Sequence, residues 1–286
     1  MLTLDENKIR KGKPVGLPYV GSKKKISKKI VEIIKQNFGT DKTVYDVFGG
    51  GGAITAELMI NGIDVIYNDL DKTITDMFNR VISQDREWIK TLIVSRDEFI
   101  AIRDKENKMV DDELTLLVNS FGNDRKSYLY SKEKSKIKYD LAVDIIKKHN
   151  VFSGYTRTPT YTNASQQTVN LQQLGQLQQL HRLQQLQQLP KTTNKDYKYF
   201  SDIKDSILYL DPPYENSDTS KYKSHIDYRE FYDWVYEMSK NNIVLLSSYE
   251  VSDNRFECVY EFKTARSTLS GGMAGKRTEK LFMVKG

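Results

Sequence analysis

Ile26, Ile30, Ile33, Ile34 and Phe38 recur every three to four positions with lysines between them, which predicts an amphipathic helix over residues 23–38 capped by Ser22. Residues 43–48 are β-rich and mostly apolar and predict a buried strand. Four glycines, Gly49 to Gly52, end it before a helical pattern resumes over residues 53–60. A second apolar strand at 64–68 completes the strand–helix–strand unit of an α/β fold. Residues 71–149 are mainly helical in pattern and densely charged, with turn chemistry at Ser120, Phe121, Gly122, Asn123 and Asp124. Residues 151–170 are polar and β-branched and fit a hairpin or a loop.

From Leu171 to Leu189 a leucine stands at every third position among glutamines. On a helix a three-residue step turns about 300°, so such leucines spiral around the cylinder and need neighbours on several sides. A zipper heptad alternates three and four, so a Gln/Leu helix or spacer packed between two domains is the expected reading. After Pro190 the α/β pattern returns, with strands at 207–210, 243–246, 257–262 and 279–285 and a helix at 228–239. The expected organisation is a core of residues 1–95 and 200–286 around a mainly helical second domain at 96–199.

Over 286 residues, 44 Lys plus Arg against 38 Asp plus Glu leave a net charge of +6. Residues 8–35 hold ten basic side chains against Glu32 alone, and a second stretch carries Arg125, Lys126, Lys132, Lys134, Lys136 and Lys138. Clusters of this kind suit contacts with a phosphate backbone, although most individual lysines serve only to solvate a surface. Tyr128, Tyr130 and Tyr139 interleave the second stretch and either stack on a partner or pack in a core. Cys258 is the lone cysteine, which excludes an internal disulfide and points to a reducing compartment. The opening residues are charged and broken by Pro14, Gly16 and Pro18, unlike a signal peptide, and no apolar run approaches the roughly 20 residues of a membrane span. A cytoplasmic protein with no membrane association is expected.

Two segments carry candidate chemistry. The first is Asp46, Val47, Phe48 and the glycines, where a strand turns into a helix and bare backbone can approach a ligand. The dinucleotide fingerprint GxGxxG fails, since its last position is Ile54 counting from Gly49 and Thr55 counting from Gly50. Asp69 ends the next strand and could accept hydrogen bonds from ribose hydroxyls; a plain turn with a surface aspartate fits equally well. The second segment is Asp211-Pro212-Pro213-Tyr214, directly after an apolar strand. It puts a carboxylate, a rigid carbonyl and an aromatic face at the carboxyl edge of the sheet, where open α/β folds bind ligands.

Tyr19-Val20-Gly21-Ser22-Lys23, the glycine segment, Asp69 and Asp211-Pro212-Pro213-Tyr214 occur in the order found in the Dam-like S-adenosylmethionine-dependent DNA adenine-N6 methyltransferases, and the chain resembles that family. Residues 277–282 are similar to the family's last strand, and residues 120–125 with the leucine repeat look like phage-type members. The resemblance implies a Rossmann-like methyltransferase core, a central mostly parallel sheet flanked by helices, with an inserted target-recognition domain. It implies S-adenosyl-L-methionine as cofactor, double-stranded DNA as partner, no metal, and a bacterial cell, with a phage gene as one source. Tyr19, Lys23, Asp46, Phe48, Gly49, Gly50, Gly52, Asp69 and Asp211 would bind the cofactor. Asp211, Pro212, Pro213 and Tyr214 would act on the adenine amine, and Arg125, Lys126, Lys132, Lys134 and Lys136 would contact DNA. Competing readings are a catalytically silent DNA-binding or decoy module of the same fold, or an amino-methyltransferase acting on RNA or cytosine N4.

Overall fold

Ile207 and Tyr209 face one way from their strand and Leu208 and Leu210 the other, and this two-residue period sets the layers on the two faces of the sheet. The computed structural model describes residues 1–19, 21–164, 170–215, 226–262 and 278–286. Val20, residues 165–169 and Arg277, which figure in the sequence reading, lie outside the described residues. The chain divides into two compact units. One comprises Met1–Pro14, Lys23–Thr75 and Pro190–Gly286, the other Val15–Ser22 and Asp76–Leu189. Both divisions fall N-terminal of the expected 95/96 and 199/200, because helical pattern continues across the first boundary and a short polar strand follows Pro190.

In chain order the elements are α1 (Ser27–Phe38), β1 (Val44–Asp46), α2 (Ala53–Ile60), β2 (Val65–Asn68), α3 (Lys72–Ile82), α4 (Arg86–Thr91), α5 (Arg96–Arg103), α6 (Val110–Asn119), α7 (Lys132–His149), α8 (Pro159–Thr162), α9 (Gln172–Gln184), β3 (Lys191–Thr193), β4 (Ile207–Leu210), α10 (Tyr228–Ser239), β5 (Ile243–Ser248), β6 (Phe256–Glu261) and β7 (Lys280–Val284). The sheet runs β3-β2-β1-β4-β5-β7-β6, parallel from β3 to β5, with β7 antiparallel to both its neighbours. Ile30, Ile34, Ile54 and Leu58 of α1 and α2 pack with Ile207, Tyr209 and Leu245 on one face. Phe231, Val235 and Met238 of α10 pack with Leu208, Leu210 and Val244 on the other. This is the expected α/β architecture of a mostly parallel sheet flanked by helices.

The first helix begins later than expected. Lys23–Lys25 form a separate 3₁₀ turn, and α1 starts at Ser27 with Ile26 at its cap position and no side-chain capping bond, so Ser22 is not the cap. Strand β3 was not among the expected strands; two β-branched threonines after Pro190 are its sole signal in the sequence.

The second unit is helical. Residues 151–170 form neither hairpin nor featureless loop where described, but a 3₁₀ turn at Tyr155–Arg157 and the single-turn α8. Leu171, Leu174, Leu177, Leu180 and Leu183 are all fully buried, and α9 packs on α4 and α6. Through Leu183 the repeat is therefore core of this unit and not a spacer, whereas Leu186 and Leu189, beyond α9, are half-buried and exposed. Gln173, also fully buried, donates from Nε2 to Asn119 Oδ1 at 2.5 Å, and the Asn119 amide donates to the carbonyls of Leu92 and Thr115 at 2.7 Å. Tyr128 and Tyr130 pack with Phe99 and Leu116 in the core, which settles their role as packing. No helix of the described residues is long and apolar enough to cross a membrane.

Candidate active site

Parallel strands present their carboxyl ends at one edge. Here β1 ends at Asp46, while Asp69 follows β2, Asp211 follows β4 and Tyr249 follows β5. The antiparallel β7 starts where the others stop: Ser248 pairs with Lys280, which delivers Glu279 to the same edge. From β1 and β4 the strand order runs outward in both directions, and this switch point is where open α/β sheets bind ligands.

The glycine turn fills the gap between β1 and α2. Gly50 and Gly52 hold φ of 48° and 67°, the left-handed region that favours glycine. A Cβ on Gly49 would lie 2.5 Å from the Tyr67 ring, and the Tyr67 hydroxyl donates to the Gly50 carbonyl at 2.6 Å. The N–H of Gly50 donates to Asp69 Oδ2 at 2.9 Å and that of Asp71 to Oδ1 at 2.8 Å, so the turn and Asp69 are built as one piece. Phe48 sets its ring edge-on to Phe231, centroids 5.9 Å apart.

Asp46 is 1% exposed. Its Oδ2 accepts from the Thr55 hydroxyl at 2.7 Å and the Thr55 N–H at 3.1 Å, while its Oδ1 has no hydrogen-bond partner among the described residues. Burial pushes this carboxyl up to about 7; the Thr55 bonds oppose the shift, and the charges of Asp211 and Asp69 add to it.

Lys23 joins the remaining groups. Its ammonium lies 2.8 Å from Asp211 Oδ1 and 3.4 Å from Glu279 Oε2, and it donates to the Tyr214 hydroxyl at 2.5 Å. Burial works against the ammonium, but attraction to Asp211 and Glu279 outweighs it and holds Lys23 above the usual lysine value. Burial lifts Asp211 up to about 6; Lys23 pulls it down and Glu279 raises it. Tyr214 donates to Glu279 Oε2 at 2.8 Å and lies tilted against Tyr249, ring centroids 4.3 Å apart. The Ser247 hydroxyl donates to Glu279 Oε1 at 2.8 Å.

The structure thus brings Lys23, Asp46, Phe48, the glycines, Asp69 and Asp211-Pro212-Pro213-Tyr214 to one sheet edge. Tyr19 belongs to the second unit, where its carbonyl accepts from the Ser22 N–H at 3.3 Å. Lys126, Lys132, Lys134 and Lys136 are exposed on that unit, Lys136 being paired with Asp140 at 2.8 Å, and Arg125 is half-buried and paired with Glu113 at 2.9 Å. The basic run of residues 8–35 is less free than its spacing suggests. Arg10 pairs with Glu57, Lys29 with Glu6 and Lys35 with Glu32, and Lys28 donates to the carbonyls of Arg10 and Gly12. Sequence reasoning missed Glu279, Ser247 and Tyr249; the signal for Glu279 was its place immediately before the closing strand.

A mixed sheet in this order, with its site at the switch point, defines the class: a Rossmann-like methyltransferase fold. The family model for D12 class N6 adenine-specific DNA methyltransferases matches residues 19–233, most of the chain, and the protein belongs to that family of adenine-specific DNA methyltransferases. Comparison with curated proteins gives no match.

Proposed function

We propose that the protein uses S-adenosyl-L-methionine to methylate N6 of an adenine flipped out of double-stranded DNA. The observation that carries this reading is the Asp211–Lys23–Tyr214 cluster at the carboxyl edge of the sheet, beside a glycine turn tied to Asp69. The residues present suit the cofactor. The glycines offer bare backbone, and Asp69, tied to the same turn through the N–H groups of Gly50 and Asp71, sets a carboxylate acceptor beside it. Asp69, Asp211 and Glu279 set three carboxyl groups at this edge against the ammonium of Lys23, a balance that favours a cationic ligand. Tyr19, Lys23, Asp46, Phe48, Gly49, Gly50, Gly52 and Asp69 would hold it. When bound, it supplies a methyl group on a positively charged sulfur.

The adenine amine is a poor nucleophile because its lone pair is delocalised into the ring. Asp211 and the Pro212 carbonyl accept its two hydrogens and favour a tetrahedral nitrogen whose lone pair points out of the ring plane. Asp211 orients the amine and does not deprotonate it beforehand, since a carboxylate is far too weak a base for that. Flipping the base costs a few kcal/mol, which stacking on Tyr214 offsets in part. The unit of Asp76–Leu189 serves as the target-recognition domain, with Lys126, Lys132, Lys134 and Lys136 on phosphates. A phage-type enzyme acting in a bacterial cytoplasm fits the likeness of residues 120–125. The test is incubation with unmethylated DNA and cofactor, followed by digestion to nucleosides and mass spectrometry. N6-methyladenine supports the reading; its absence refutes it.

A further inference from the structure

Glu279 lies outside the stretch matched by the family model, yet four groups of the site meet at its carboxylate or one bond from it. It is 3% exposed. Its Oε1 accepts from Ser247, and its Oε2 accepts from Tyr214 and faces Lys23. We propose that Glu279 is a positioning residue for methyl transfer: by taking the hydroxyl proton of Tyr214 and sharing the ammonium of Lys23, it fixes both groups against Asp211. The proposal rests on the methyltransferase reading above.

A tyrosine hydroxyl has one proton to give. Directed to Glu279, it leaves only lone pairs facing Lys23, which accordingly donates to Tyr214. Tyr214 then cannot spend its proton on Asp211, whose remaining acceptor sites stay open to the substrate amine. Lys23 has three N–H groups, and Asp211, Tyr214 and Glu279 surround them. Sharing one ammonium between two carboxylates also prevents Lys23 from neutralising Asp211 alone, in keeping with the opposite effects of Glu279 and Lys23 on the Asp211 carboxyl. Of the described strands next to the site, β7 alone can bring a residue from its beginning to this edge, because it runs against β5.

Glu279→Gln is isosteric, and its amide can be satisfied: the oxygen accepts from Tyr214 and the NH₂ donates to Ser247. In this variant kcat for adenine methylation is expected to fall about 10- to 100-fold while KM for DNA stays within about twofold. The acid limb of kcat against pH should move to lower pH, because a negative charge beside Asp211 has gone. A contact that merely stabilised the fold would leave that limb in place. An unchanged kcat overturns the proposal, as does a fall in kcat with an unmoved acid limb. If a thermal melt shows Glu279→Gln unfolded, Ser247→Ala carries the test by removing the Oε1 anchor. A several-fold lower kcat at unchanged KM is then expected, and a wild-type kcat overturns the role. No N6-methyladenine from the unaltered protein defeats the methyltransferase reading and this role with it, an outcome distinct from an active parent with an indifferent variant.

Discussion

The two units bury polar groups of different kinds. The catalytic unit hides ionisable side chains, with Glu32, Asp46, Glu57 and Glu279 all under 5% exposed and Lys23 drawn in beside Asp211. Among the described residues the second unit has no fully buried charged side chain; its interior polar groups are Thr115, Asn119, Ser120, Ser135 and Gln173, and its lysines are exposed or half-buried. Neutral amides tie helices together and titrate with nothing, whereas buried carboxyls respond to pH and to each other. One interior can therefore respond to pH, and the other is held by groups that do not ionise.

The contrast can be broken most directly at Asp211. Asp211→Ala should lower methyl transfer by about 1,000-fold or more, as loss of the group that orients the nucleophile, with DNA affinity within about twofold. Tritium transfer from labelled cofactor at a near-normal rate would sink the assignment. Next comes the neutral network of the second unit. Asn119→Ala removes the shortest bond of Gln173, which keeps those to Val94 and Tyr128, and the side-chain bonds to the carbonyls of Leu92 and Thr115, and should cost about 2 kcal/mol in chemical denaturation. A change below about 0.5 kcal/mol would mean that the network does not hold this unit together.

Gly49→Ala drives a methyl group into the Tyr67 ring and should cost about 1–3 kcal/mol, with weaker cofactor binding by calorimetry. An unchanged dissociation constant would separate the turn from the cofactor. Replacing Lys132, Lys134 and Lys136 together by Gln should weaken DNA binding at all sequences and reduce the salt slope by about one for each phosphate no longer neutralised, with kcat unaltered. An unaltered slope would place the DNA elsewhere.

The smallest effect concerns pH and stability. Asp46 and Asp211 are raised from the ordinary 3.8 to about 7 and about 6, so in that window the folded chain binds more protons than the unfolded one. Their contribution to stability is thus fully present below 3.8 and is lost as pH rises through 6 to 7. Asp46→Asn keeps an oxygen for Thr55 and should flatten the decline in melting temperature over that range. A decline as steep as in the parent would remove Asp46 as its source.

Much of the catalytic fold was legible because its signals are local. Residues 207–210 alternate faces whatever their neighbours do, and the glycines require a turn by their backbone freedom alone. The same holds for the Asp-Pro-Pro-Tyr corner. The second unit was read less well: the leucine repeat showed a helix surrounded on several sides but not by what, and the turn residues 120–124 gave no hint that Tyr128 and Tyr130 pack inward. The basic stretches misled for a related reason. Counting charges along residues 8–35 leaves out Glu6, Glu57, Asp211 and Glu279, which reach those side chains through space.

By itself, then, the sequence determined the alternation that makes a three-layer α/β core, the strand ends where chemistry could sit, and the motif order that marks an adenine methyltransferase. Tertiary structure decided which charges meet. Lys23 and Tyr214 are 191 positions apart, and Glu279 joins them because one strand of the sheet runs backwards. Hydrogen bonds and ion pairs act over a few ångströms of space, and no spacing along a chain encodes that distance until the sheet has formed.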